Sequence, residues 1–146
     1  MGAFLLDANV LIALAWPDHE FHEKAGRWFA RHSSNGWATC PFTQAAFVRI
    51  LSNPAFSAKA LTPANAVSVL ESNLNSPTHH FWPDSISVPE ALKNSIQGRL
   101  TGQLTGHRQT TDAYLLGLAM HHRGKLATLD KGIGAWGVGA AVELIA

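Results

Sequence analysis

A single cysteine, Cys40, leaves the chain without an internal disulfide, which fits a reducing compartment. Charge is also scarce. Asp, Glu, Lys and Arg make up 14% of the 146 residues, and the formal net charge is +1. A chain this close to neutral cannot hold a long polyanion by bulk charge, so nucleic-acid binding would need a local patch and a metal ion. The apolar stretch MGAFLLDANVLIALAW has no basic leader and carries Asp7 in its middle. It is read as neither a membrane span nor a signal peptide, and the protein as cytoplasmic. Repeats, linkers and low-complexity tracts are missing too. What is present is 47% hydrophobic residues in a length suited to one domain, residues 1–146, that buries a core without staples.

Short apolar runs alternate with helical patterns. Strands are expected at Ala3 to Leu6, Trp37 to Cys40, His79 to Trp82 (the weakest), Lys125 to Leu129 and Ala141 to Ile145. Helices are expected from Asn9, from Asp18, from a cap at Thr43, from Thr62-Pro63, from Pro89 and from a cap at Thr111. The Pro89 helix fades into a loop containing Gly98, Gly102 and Gly106, and Gly124 breaks the last long one. This alternation points to an α/β fold with a parallel sheet covered on both faces.

The ten acidic residues are distributed unevenly over these elements. Asp7 follows the first strand, Asp84 the third and Asp130 the fourth, while Asp112 opens the helix that leads into the fourth. Parallel sheets bind ligands beyond the carboxyl ends of their strands. Each aspartate alone is a turn former or helix cap. Together at one edge, Asp7, Asp112 and Asp130 repel one another unless a cation lies between them. Mg²⁺ or Mn²⁺ takes such oxygens while keeping waters to share with a phosphate, and supports phosphodiester cleavage.

FLLDANVLIAL, TQAAFVRILSNP and GHRQTTDAYLLGLAMHHRGKLATLD, followed by a short terminal strand, resemble the PIN-domain family and more narrowly its VapC-type toxins. The resemblance covers essentially the whole chain. It implies a three-layer α/β/α sandwich with a five-stranded parallel sheet in the order 3-2-1-4-5. It also implies Mg²⁺- or Mn²⁺-dependent endoribonuclease activity on tRNA or ribosomal RNA, a homodimer, and neutralisation by a VapB-type antitoxin whose C-terminal segment fills the groove. Asp7 and Asp112 then match metal-binding acids, Asp130 completes the site, and Asn9 orients the first acid or a water. Gln44 stands where the family usually has a glutamate. Its amide can hydrogen-bond a water but adds no charge, which weakens the case for a second metal. Asp84, Glu20 and Glu23 are the substitutes in reach of consideration, and a degenerate RNA- or partner-binding module is the alternative reading.

Four further residues are candidate RNA or antitoxin contacts. Arg49 lies along the helix of Gln44, His107 and Arg108 precede Asp112, and Lys131 follows Asp130. The glycine spacing meets neither a P-loop nor a dinucleotide pattern, and no G-x-S-x-G elbow occurs. His19 and His22 lack further zinc ligands in the sequence, and Cys40 reads as a small core hydrophobe. A small-molecule phosphatase would want Asp-x-Asp after the first strand, where this chain has Asp7-Ala8-Asn9.

Overall fold

Short, mostly apolar segments become the strands of one parallel sheet. The computed structural model describes residues 2–96, 109–136 and 141–146. Its strands are β1 (Phe4–Leu6), β2 (Trp37–Thr39), β3 (His79–Phe81), β4 (Lys125–Thr128) and β5 (Val142–Leu144). They lie in the order β3-β2-β1-β4-β5, each parallel to its neighbours. The expected α/β/α architecture and strand order are therefore observed.

Strand alternation divides the core in two. Phe4, Leu6, Trp37 and Ala127 point to one face, where α1 (Ala8–Ala15), α2 (His22–His32), α3 (Pro41–Leu51) and α4 (Pro63–Leu74) contribute Val10, Trp28, Phe47, Leu51 and Leu70. Leu5, Ala38 and Leu126 point to the other, against Ala91 of α5 (Val88–Ile96) and Leu115, Leu116 and Leu118 of α6 (Thr110–His121). A short α7 (Lys131–Gly134) follows β4. Leu5 and Leu126 are fully buried, so truncating either to alanine is expected to cost about 2–5 kcal/mol. Helices α5 and α6 meet so closely that a Cβ on Gly117 would lie 2.2 Å from the carbonyl oxygen of Ala91. Among the described residues no helix is long and apolar enough to cross a membrane.

Helix starts differ from the sequence expectation in ways that bear on the site. Asp7, not Asn9, caps α1. Asp18 caps nothing: the chain turns through His19, whose Nδ1 accepts the Phe21 N–H at 3.0 Å, and α2 begins at His22. Thr43 is inside α3 rather than at its cap, and its hydroxyl accepts the Cys40 N–H at 3.0 Å. Helix α6 begins at Thr110 with Gln109 at the cap position, so Thr111 is already helical. Thr62 does cap α4, accepting the Asn65 N–H at 3.1 Å, with Pro63 in the first turn.

Candidate active site

β1 and β4 are neighbours, so their carboxyl ends deliver two aspartates to one edge of the sheet. The Asp7 N–H donates to the Ala127 carbonyl at 3.0 Å, which ties the end of β1 to β4. The Asp7 carboxylate accepts the Ala8 N–H at 2.8 Å through Oδ1 and the Thr128 hydroxyl at 2.9 Å through Oδ2. At the end of β4, Asp130 caps α7, its Oδ1 accepting the Gly132 and Ile133 N–H groups at 2.7 and 3.4 Å. Asn9 stitches the two ends together. Its amide donates to Thr128 Oγ1 at 3.3 Å and more distantly to Asp7, and its carbonyl accepts the Leu129 N–H at 3.2 Å. The Asp130 N–H donates to the same Thr128 hydroxyl at 3.1 Å. Thr128, fully buried, is thus the hub of the rim.

Asp112 comes from the first turn of α6. With Asp7, Asp130 and Asn9 it lines a cavity of about 310 Å³ that Phe42, Thr43, Ala46 and Arg49 of α3 also line. Burial raises the Asp7 carboxyl above its ordinary value, and nearby Asp130 adds to that, against the Thr128 and Ala8 hydrogen bonds. The Asp112 carboxyl is pushed up to about 6, first by burial and then by the charges of Asp7 and Asp130. The three side chains therefore feel one another electrostatically, as the sequence suggested.

This donor set suits a hard divalent cation. Carboxylates whose ionisation is opposed by burial and mutual repulsion gain most from a cation between them. Among the described residues no three His, Cys, Asp or Glu side chains close into a preformed metal cage. Mg²⁺ and Mn²⁺ are held by one or two carboxylates, waters and substrate phosphate rather than by an all-protein cage.

Other sequence candidates fall elsewhere. Gln44 does not line the cavity: its amide donates to Thr39 Oγ1 at 3.0 Å, and Thr39 in turn meets His79 Nε2 at 2.7 Å. The reason is helical geometry, because Gln44 lies about 200° round α3 from Phe42. Arg49 is exposed and lines the cavity, whereas Lys131, also exposed, does not. His107 and Arg108 lie outside the described residues. Asp84 is exposed beyond β3 and, after burial itself, helps push the Tyr114 hydroxyl up to about 12. Glu23 pairs with Arg27 at 3.9 Å, and His22 meets the Ala13 carbonyl at 2.7 Å; neither lines the acidic cavity. A second cavity, about 250 Å³ and lined by Leu11, Leu14, Phe29, Trp37, Asn73 and Ser76, is mostly apolar and has none of these acids on its walls. Sequence reasoning missed two site residues. Thr128 was detectable as a hydroxyl two positions before an acid at the end of a buried run. Phe42 had only its place after Pro41, at a helix start, to mark it.

Comparison with known proteins finds relatives of the chain. The PIN-domain family model matches residues 4–136. Ribonuclease VapC39 of Mycobacterium tuberculosis is 40% identical over 141 residues, covering 97% of this chain and 98% of that protein. Ribonuclease VapC29 of the same species is 43% identical over 129 residues, covering 88% and 86%. Among solved structures, DNA-bound VapBC from Salmonella typhimurium matches with a TM-score of 0.68 at 17% identity over 100% of both chains. VapC20 of Mycobacterium tuberculosis, a sarcin-ricin loop cleaving toxin, matches with a TM-score of 0.64 at 15% identity, over 92% of this chain and 95% of that one.

Proposed function

The chain belongs to the PIN-domain family, and from that membership we propose that it is a VapC-like toxin: an endoribonuclease dependent on Mg²⁺ or Mn²⁺ that cuts tRNA or ribosomal RNA. The observation that carries the reading is the convergence of Asp7, Asp112 and Asp130 on one cavity, with the Asp112 carboxyl raised to about 6.

Hydrolysis of a phosphodiester needs a water oxygen to bond to phosphorus while the opposite oxygen leaves and takes up a proton. Three carboxylates facing a phosphate would repel it, so positive charge must enter the site. Asp7 and Asp112 would hold the metal ion, which when bound supplies Lewis-acid stabilisation of the phosphate charge and lowers the pKa of a bound water. Asp130, at the exposed rim, accepts a hydrogen bond from the attacking water and orients it. Asn9 and Thr128 fix the Asp7 carboxylate so that little reorganisation remains. Arg49, which lines the cavity, is the described cation there for a non-bridging or neighbouring phosphate oxygen.

The partner of this reading is a VapB-type antitoxin whose segment occupies the same cavity, with Arg49 available to one of its carboxylates, and the working unit is a homodimer. The test is cleavage of total cellular RNA by antitoxin-free protein with Mg²⁺, Mn²⁺ or EDTA, beside an Asp112→Asn control. Discrete fragments that need both metal and Asp112 are expected. Folded protein that cuts nothing under any metal condition would replace the enzyme with a non-catalytic binding module.

A further inference from the structure

The α3 residues that line the acidic cavity have an uneven composition. Phe42, in the first turn of α3, is 43% exposed. Among the described residues the other large exposed hydrophobic ones are Val67, Phe81, Val88 and Leu144, and none of them lines the acidic cavity. The Phe42 ring is also held in place. It meets Tyr114 at a centroid distance of 5.2 Å with the planes tilted by 59°. Tyr114 is buried and donates its hydroxyl to the Ile86 carbonyl at 3.2 Å, so the support beneath Phe42 is fixed. Tyr114 lies two residues beyond Asp112 on α6, which sets the aromatic ring and the acid relative to one another.

Arg49 lies seven residues further along α3, close to the same face and ~10 Å along the axis. Ala46, between them, lines the cavity with only a methyl group. This stretch of α3 therefore presents a flat apolar ring at one end, a methyl group between, and a guanidinium at the other end, in a cavity that carboxylates suited to a phosphate-bound metal also line. A nucleotide strand has the complementary alternation of base and phosphate.

We propose that Phe42 is a specificity-determining residue that stacks an unpaired base next to the scissile phosphate while Arg49 holds a neighbouring phosphate; this rests on the ribonuclease reading above. Every base offers a π face, so the ring selects for a base free of its partner rather than for its identity. A paired base keeps its faces within the helix stack and cannot lie on the ring.

The probe is a short mixed-sequence RNA carrying 2-aminopurine, supplied single-stranded or annealed to its complement, with Mg²⁺. Phe42→Ala is expected to raise KM about ten-fold, within the range of one base–aromatic stack, with kcat changed much less. Phe42→Trp should restore KM. In the cleavage-impaired Asp112→Asn background, binding should quench 2-aminopurine fluorescence, and Phe42→Ala should abolish the quench. Circular dichroism checks that each variant is folded. Unchanged KM and quench in Phe42→Ala, or equal cleavage of the duplex, would overturn the assignment. So would an effect of Phe42→Ala confined to antitoxin affinity, which would give the ring to a protein partner. Wild-type protein that neither cuts nor binds the single strand would instead remove the ribonuclease reading itself.

Discussion

Asp7 and Asp112 face one cavity, yet the fold holds them in opposite ways. Asp7 closes β1, caps α1 and accepts hydrogen bonds on both oxygens, from Ala8 and from the buried Thr128. Asp112 lies half-buried in the first turn of α6 and makes no hydrogen bond among the described residues. The helix dipole is the favourable partner left to it, and it is set against two neighbouring carboxylates. The first acid is part of the scaffold, whereas the second contributes charge and little else.

The largest test of that contrast removes the two charges separately. Both Asp112→Asn and Asp7→Asn should lower cleavage at least ~100-fold, since even outer-shell partners of a metal are worth up to that much. Their stabilities should diverge. Asp112→Asn relieves repulsion and should leave the urea midpoint unchanged or raised. Asp7→Asn loses one acceptor oxygen in a buried network and should cost about 1–2 kcal/mol. Equal loss of stability in the two variants would break the comparison.

Thr128→Val sharpens it next. The hydroxyl serves Asp7, Asn9 and the Asp130 N–H at once, and valine leaves all three short of a partner in a buried place. A loss of about 2–3 kcal/mol in urea unfolding is expected. Cleavage should fall as well, but through a misplaced Asp7 rather than a missing ligand.

pH gives a smaller signature. The Asp112 carboxyl rises from 3.8 to about 6 in the metal-free fold. Its ionised form is therefore less favourable folded than unfolded. The group contributes stability that is fully present below about pH 4 and is lost as pH rises through about 6. His79 and His122 act in the opposite direction, because burial lowers the pKa of each and protonation of either opposes the fold. The informative quantity is thus a difference. Between pH 7 and 5 the melting temperature of metal-free wild type should rise relative to that of Asp112→Asn. Near neutral pH, Mg²⁺ should raise the wild-type melting temperature and leave the variant's much less affected. Parallel pH profiles would show that Asp112 carries no strain.

Much of this arrangement was legible in the chain. Wholly apolar runs such as Phe4 to Leu6 marked the strands, and an acid directly after two of them marked the active edge. The strand order came with the PIN resemblance, since periodicity alone does not order a sheet. Helix starts were harder to read, because several polar residues in succession can each cap. Asp7-Ala8-Asn9 offers two caps. The one nearer the strand wins because its N–H already bonds to β4, leaving Asn9 free to cross-link Thr128 and Leu129. Gly124 was a near miss of the same kind. The left-handed residue that ends α6 is Arg123, at φ 57°, and Gly124 supplies the N–H that reaches back to Ala119 at 2.8 Å. Phe42 was not legible, since exposure and the direction of a ring depend on what α6 brings against it.

Gln44 separates position in a motif from position in space, and its variant should have the smallest effect. Thr39 has one hydroxyl hydrogen. Its oxygen accepts from the Gln44 amide and meets Nε2 of His79, whose protonation burial and His80 oppose; the tautomer of His79 sets which of the two donates. In Gln44→Glu the carboxylate cannot donate, so Thr39 turns its hydrogen toward Glu and accepts from the Nε2–H form of His79. A neutral imidazole can do this by changing tautomer, so the network survives at a cost of about 1 kcal/mol or less. The new charge lies round the helix from the cavity wall, and cleavage should change by less than about ten-fold. The measurement is kcat/KM for Gln44→Glu beside wild type. A gain from near zero to robust cleavage would mean that the glutamate swings into the acidic edge, and that the native protein is a binding module lacking one of its acids.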